Sequence, residues 1–321
     1  MSWNLTEEQA LESGYFSHIN AFWQNHVVLG QFIGEENIEL HFAYCIPENP
    51  KGAIVLCNGR VETFLKYKEV IYDFYQNGFA CFTLDHRGQG LSGRMTQDPQ
   101  HGYVKHFAHY VDDLCTFVSN IVQPQWKGDL SLVCHSMGGA IGALTLLHRP
   151  ELFERAVFCS PMFGIKPSLP DWAATAIVEA GLKINRIRNR ESGYFFGQKP
   201  YTVYPFQVNP LTHSKVRYEC MVELYKDTPA LQLGGVTTEW LAAAKDAMNE
   251  IELRAFEISQ PVLVFSSARD IIIDNKRQRI VAATMPSGEL VKVAHARHEL
   301  LMERDDIRNP VLARIMDFLS Q

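Results

Sequence analysis

Short, nearly uninterrupted apolar runs alternate with longer segments of helical period along most of this 321-residue chain. That alternation restricts the fold more than any other property of the sequence. Ile54–Cys57 is one such run, stopped by Asn58-Gly59; Phe79–Leu84, Leu130–Cys134 and Ala156–Cys159 are others. Runs of this length suit strands buried on both faces. Between them, Val70, Ile71, Phe74 and Tyr75 share one helical face within 66–77, closed by Gly78. Val111, Leu114, Cys115, Val118, Ile121 and Val122 form a second stripe, and 137–148 predicts another helix, stopped before Pro150. Strand and helix in regular turn imply parallel strands with helices on both faces, an α/β fold.

The rhythm fails between about Pro161 and Glu257, where helical segments (172–182 and 239–248) are joined by Pro-rich and aromatic connectors. It resumes with strands at 261–266 and 290–294 and ends in a helix at 311–319. A crossover connection of this length would be unusual. The expected organisation is a core of 1–160 and 256–321, interrupted by a mainly helical lid at 161–255.

Composition narrows the function. With 46% hydrophobic and 21% charged residues the chain is ordinary globular protein, and a net charge of −6 argues against a nucleic-acid partner. No apolar run reaches the 18 residues of a membrane span, and the polar, acidic start (1–10) predicts no secretory leader. Seven cysteines without paired spacing predict reduced thiols and a cytoplasmic setting. Without Cys-x-x-Cys or His-x-x-x-His spacing, no structural metal site is expected.

The segment from Leu130 to Ala140 carries the chemistry. It reads strand, sharp turn, helix, with Ser136 at the apex of His135-Ser136-Met137-Gly138-Gly139. Such a turn holds a serine hydroxyl clear of the sheet and aims the first helical N–H groups at the reaction centre, so Met137 N–H is a candidate oxyanion donor. The residues two before and two after the serine are expected to be small, since they approach each other; Gly138 fits and Cys134 departs from the usual Gly. The partners of such a serine follow it in the order acid, then His. Position leaves Asp270 and Asp274 open for the acid, although Asp274 also suits the N-cap of a helix over 275–285. It leaves His295 and His298 open for the base.

Taken together, 135–139, the loop Asp85-His86-Arg87-Gly88-Gln89-Gly90-Leu91-Ser92-Gly93-Arg94 and Asn58-Gly59-Arg60-Val61-Glu62 resemble the α/β-hydrolase branch of monoacylglycerol lipases and bacterial lysophospholipases. Asn209-Pro210-Leu211-Thr212, Leu233-Gly234-Gly235 and Trp240-Leu241 resemble the lid of the Gram-negative lysophospholipases, and the similarity runs from about Val27 to the end. The resemblance implies a catalytic set of Ser136, Asp270 (the first Asp of Asp-x-x-x-Asp) and His298, which precedes an acidic-apolar segment. It implies the backbone N–H of Arg60 as second oxyanion donor, although the family's His-Gly is Asn58-Gly59 here. Glu62 matches a family Glu expected to tie down that loop, Asp85–Gly88 is expected to shape the site wall, and His86 and His135 are expected to be structural.

These roles imply a serine carboxylic-ester hydrolase working through an acyl-enzyme, without metal or organic cofactor. The substrate the resemblance implies is a lysophospholipid, with monoacylglycerol lipase or general carboxylesterase as the alternative and an inactive binding module as the remote one. A dehalogenase would carry Asp at 136, and an aminopeptidase would want acidic residues near the site, which the sequence does not locate. From Gly181 to Arg217 there are seven Lys/Arg against Glu191 alone, a charge of +6 that leaves −12 elsewhere, interleaved with six aromatics. Arg186, Arg188 and Arg190 are therefore candidates for headgroup contact, and the lid for peripheral contact with an anionic membrane surface such as the inner membrane.

Overall fold

The six expected strands and an added hairpin form one eight-stranded sheet in a computed structural model that describes residues 3–11, 16–167, 170–187 and 192–321. They are β1 (Val28–Ile33), β2 (Glu39–Cys45), β3 (Gly52–Cys57), β4 (Phe79–Leu84), β5 (Leu130–His135), β6 (Arg155–Cys159), β7 (Val262–Ser267) and β8 (Gly288–Val293). Their spatial order is β1-β2-β4-β3-β5-β6-β7-β8. β2 runs antiparallel to β1 and β4, and every pairing from β4–β3 to β7–β8 is parallel.

The helices are α1 (Phe16–His26), α2 (Lys68–Gln76), α3 (Ala108–Phe117), α4 (Met137–His148), α5 (Asp171–Ile187), α6 (Lys215–Asp227), α7 (Thr238–Arg254), α8 (Asn275–Thr284) and α9 (Asp305–Leu319). Strand alternation splits the interior in two. Val55, Leu132, Phe158 and Val264 face a core shared with α3, α4, α7 and α8. Ile54, Val133, Val157 and Leu263 face the other, shared with α1, α2 and α9. This is the α/β-hydrolase fold.

The hairpin β1–β2, the helix α1 and the start of the last helix depart from the sequence reading. The hairpin β1–β2 carried no clear signal because β1 is an edge strand with four of its six residues exposed, and Gly30-Gln31 interrupts its apolar run. The last helix begins at Asp305 rather than Val311 and passes through Pro310. Asp305 and Asp306 complement the helix dipole in its first turn, and Ile307 is already buried, which outweighs the one hydrogen bond that the proline removes.

The segment 161–255 leaves the sheet after β6 and returns before β7 with α5, α6 and α7. Its last helix belongs to the layer covering the sheet, since Trp240, Ala244, Ala247, Met248 and Ile251 join the first core against α4. The alanine row permits that close approach. The start of α6 is anchored as well: Arg217, counted above as a lid cation, is buried and binds Glu69 and Asp305 at 2.8 Å each.

Candidate active site

Ser136 caps β5 at φ 51°, ψ −116°, a left-handed backbone conformation for a residue with a side chain. The turn is held by Gly138, where any Cβ would collide with the carbonyl oxygens of Cys57 and Asn58. The reason Gly138 must be small is therefore the neighbouring strand β3, and not an approach to Cys134. Cys134 fits because a helical glycine receives it: a Cβ on Gly142 would lie 2.6 Å from the Cys134 sulfur.

Loops after β7 and β8 bring the other two residues together with Ser136. His298 Nε2 lies 2.9 Å from Ser136 Oγ, and His298 Nδ1 lies 2.7 Å from Asp270 Oδ2. Asp270 Oδ1 accepts the N–H groups of Ile272 (2.8 Å) and Ile273 (3.0 Å). Burial alone would raise the Asp270 pKa, but the bonds from His298 and these two amides hold it below the usual carboxylate range. The carboxylate thus stays charged and fixes the imidazole orientation. Asp274 instead accepts Lys276 and Arg277 N–H groups as the N-cap of α8, and His295 is exposed. The His298 loop is clamped by the insertion: Arg297 Nη1 donates to the carbonyls of Asn209 (3.0 Å) and Thr212 (2.9 Å), and Glu299 N–H to that of Leu211 (2.9 Å).

The loop after β3 comes close to the serine, since a Cβ on Gly59 would sit 3.1 Å from Ser136 Cβ. Within it, Gly59 N–H donates to Glu62 Oε2 and Val61 N–H to Gln89 Oε1. The N–H groups of Arg60 and Met137 have no acceptor among the described residues, which leaves both for an oxyanion beside Ser136. Glu62 also accepts from Lys66 Nζ and Tyr67 Oη, both at 2.7 Å, and Lys66 Nζ lies 2.6 Å from Glu299 Oε1. Burial would raise the Glu62 pKa, but Lys66 and His135 with these hydrogen bonds bring it down to about 2. Glu299 moves the other way, its carboxyl pushed up by burial.

Asn58 braces the loop, donating to Leu84 O (3.2 Å) and accepting from Gln89 Nε2 (3.3 Å). Asp85–Gly88 does not form the site wall. Asp85 holds Phe64 N–H and Leu91 N–H, Arg87 pairs with Asp113 at 2.6 Å, and His86 touches Cys57 Sγ, all beneath the loop. Sequence reasoning missed Gln89, whose amide also donates to Gly59 O (2.7 Å) and Glu62 O (3.0 Å); its place inside the Asp85–Arg94 motif was the available signal. It also missed the Lys66–Glu299 pair.

Ser136, Met137 and His298 open onto a cavity of about 530 Å³, walled by 197–204, 209–211, parts of α6 and 233–236 of the insertion. Tyr201, Tyr218, Met221 and Val222 give it an apolar side, and Arg60, Glu62, Lys66 and Glu299 a polar one. Arg186 is exposed on α5 and does not line it, while Arg188 and Arg190 lie outside the described residues.

The sequence profile of the serine aminopeptidase S33 family matches residues 48–305. The chain belongs to this family. This S33-family hydrolase is 32% identical to lysophospholipase L2 of Escherichia coli K12 over 98% of its own length and 94% of that protein. It is 25% identical to the monoglyceride lipase of Rattus norvegicus, covering 84% of this chain and 83% of the lipase. A soluble variant of monoglyceride lipase from Saccharomyces cerevisiae, solved with a substrate analog, has the same fold: TM-score 0.71 at 20% identity, over 91% of this chain and 94% of that one. The S33-family chain is a serine ester hydrolase.

Proposed function

We propose that the protein hydrolyses the carboxylic ester of a lysophospholipid, releasing a fatty acid and a glycerophospho-alcohol. The observation that carries this reading is the hydrogen-bonded line Ser136–His298–Asp270 opening onto a cavity with one apolar and one polar side. His298 takes the Ser136 proton as the hydroxyl attacks the ester carbonyl, and Asp270 stabilises the imidazolium. The N–H groups of Arg60 and Met137 hold the oxyanion, the alcohol leaves with a proton from His298, and water then releases the acyl group. The full-length likeness to an enzyme named lysophospholipase L2 supports the substrate. Peptide amines are disfavoured because the cavity carboxylates Glu62 and Glu299 are already bound to Lys66. Monoacylglycerol is the second reading, supported by the rat relative.

The segment 161–255 is proposed as a lid that rests on an anionic lipid surface at the cytoplasmic face. Its exposed Trp172, Ile187, Phe196 and Val208 lie within the same stretch as exposed Lys183 and Arg186, a mixture that suits the interface of a charged bilayer. Arg186 fits that contact better than a headgroup site. Among the described residues no helix is long and apolar enough to cross a membrane.

A panel of lysophosphatidylethanolamine, monoacylglycerol and a short nitrophenyl ester tests the function. The lysophospholipid should show the highest kcat/KM, and Ser136→Ala should lose roughly a thousand-fold or more on every substrate. A higher kcat/KM on monoacylglycerol would favour the second reading, and retained esterase activity in Ser136→Ala would refute the mechanism.

A further inference from the structure

Arg60, Lys66, Lys166 and Lys199 are the cationic side chains lining the cavity. Lys66 is neutralised between Glu62 and Glu299, and Lys166 and Lys199 reach solvent. Arg60 is different. It is mostly withdrawn from solvent, yet among the described residues no carboxylate lies within ion-pair distance of its guanidinium. Nη1 donates to Gly234 O at 2.9 Å, and the guanidinium lies 5.8 Å from the Trp240 ring centroid; Gly234 and Trp240 both line the cavity. Burial lowers its pKa to about 10, which leaves it charged at neutral pH. A desolvated cation without a counter-ion is costly, and a planar fork with spare N–H donors matches the oxygens of a phosphate.

We propose that the Arg60 guanidinium receives the phosphate of the lysophospholipid while the backbone N–H of the same residue holds the ester oxyanion. This rests on the function proposed above and deepens it by naming the residue that separates a phospholipid from a neutral glyceride. The dimensions agree. About six covalent bonds separate the amide nitrogen of an arginine from its guanidinium carbon, and about six separate the carbonyl carbon of a 1-acyl lysophospholipid from its phosphorus, each a span on the order of 7 Å. A substrate whose carbonyl oxygen faces the Arg60 N–H can therefore lay its glycerol along the Arg60 side chain and bring its phosphate to the guanidinium. A monoacylglycerol makes the first contact and lacks the second.

The experiment compares kcat/KM for 1-oleoyl lysophosphatidylethanolamine and 1-oleoylglycerol in wild type, Arg60→Gln and Arg60→Lys. The ratio of the two should fall about thirty-fold or more in Arg60→Gln, the scale of a lost charge-assisted pair, and recover in part in Arg60→Lys, which keeps the charge without the fork. A ratio within about three-fold of wild type in Arg60→Gln overturns the proposal, because a loss shared equally by both substrates means that Arg60 only supports its loop. Competitive inhibition of the wild type by glycerol 3-phosphate, with glycerol as control, is a second measurement that needs no folded variant. Absence of inhibition overturns the proposal, and inhibition matched by inorganic phosphate at equal concentration replaces it with a general anion site. A wild type that cleaves monoacylglycerol but not lysophospholipid overturns the function itself, which is a result distinct from an unchanged ratio.

Discussion

The Tyr225 hydroxyl donates a 2.6 Å hydrogen bond to the carbonyl oxygen of Val61. Tyr225 belongs to α6 of the insertion, and Val61 follows Arg60 in the loop after β3. Val61 has φ 64°, an unfavourable backbone for a β-branched side chain, so this loop keeps its shape only while its surroundings impose it. The bond from Arg60 to Gly234 is a second tie between the same two regions. The insertion thus helps to shape the loop proposed to hold the oxyanion.

Tyr225→Phe removes that hydrogen bond while keeping the ring. The loop can then relax, and kcat on a nitrophenyl ester should fall about ten-fold, in line with one lost positioning bond near an oxyanion. The rate of Ser136 labelling by a fluorophosphonate should fall in parallel. Unchanged values for both would mean that the loop holds itself.

The two late aspartates should separate cleanly. Asp270→Asn keeps the size but loses the carboxylate facing His298, and turnover should drop by about three to four orders of magnitude. Asp274→Ala removes a helix cap, which costs about 1 kcal/mol of stability and leaves turnover near wild type. Steady-state kinetics with urea unfolding of both variants checks the pair, and the reverse pattern would exchange their roles.

Gly138→Ala tests the turn. The added methyl meets the carbonyls of Cys57, the last residue of β3, and Asn58, both buried backbone atoms that cannot swing aside. Loss of folded protein, or a destabilisation of about 3 kcal/mol or more, is expected. A variant with wild-type melting temperature and labelling rate would contradict the packing described for this turn.

Acid should weaken the fold through His135. Burial is the main cause that lowers its pKa from 6.5 to about 4, with the charges of His298 and Lys66 adding to it against the pull of Glu62. The folded value lies below the unfolded one, so the unfolded chain binds more protons between them. This contribution is present in full above about pH 6.5 and is lost as pH falls toward 4, on the order of 3 kcal/mol in all. Urea midpoints at pH 7 and pH 5 should differ less in His135→Asn than in wild type, and an equal difference would remove His135 from the account.

Ser136, the α/β architecture and most strands were legible in the sequence because each is a local pattern: burial repeats along a strand or helix, and the serine turn joins the two within eleven residues (130–140). Asp270 and His298 could be narrowed to pairs by position, and resemblance pointed to one of each. What the sequence could not disclose depends on distant loops meeting. Lys66 finds Glu299 across 233 positions, Arg217 is drawn out of a basic stretch onto Glu69, and the Arg60 guanidinium ends at the Gly234 carbonyl 174 residues away. Side-chain period reports which face of an element is buried. It carries no record of which loops converge at the sheet's carboxyl edge, and that convergence decides which charges are neutralised and which stay unpaired at the cavity.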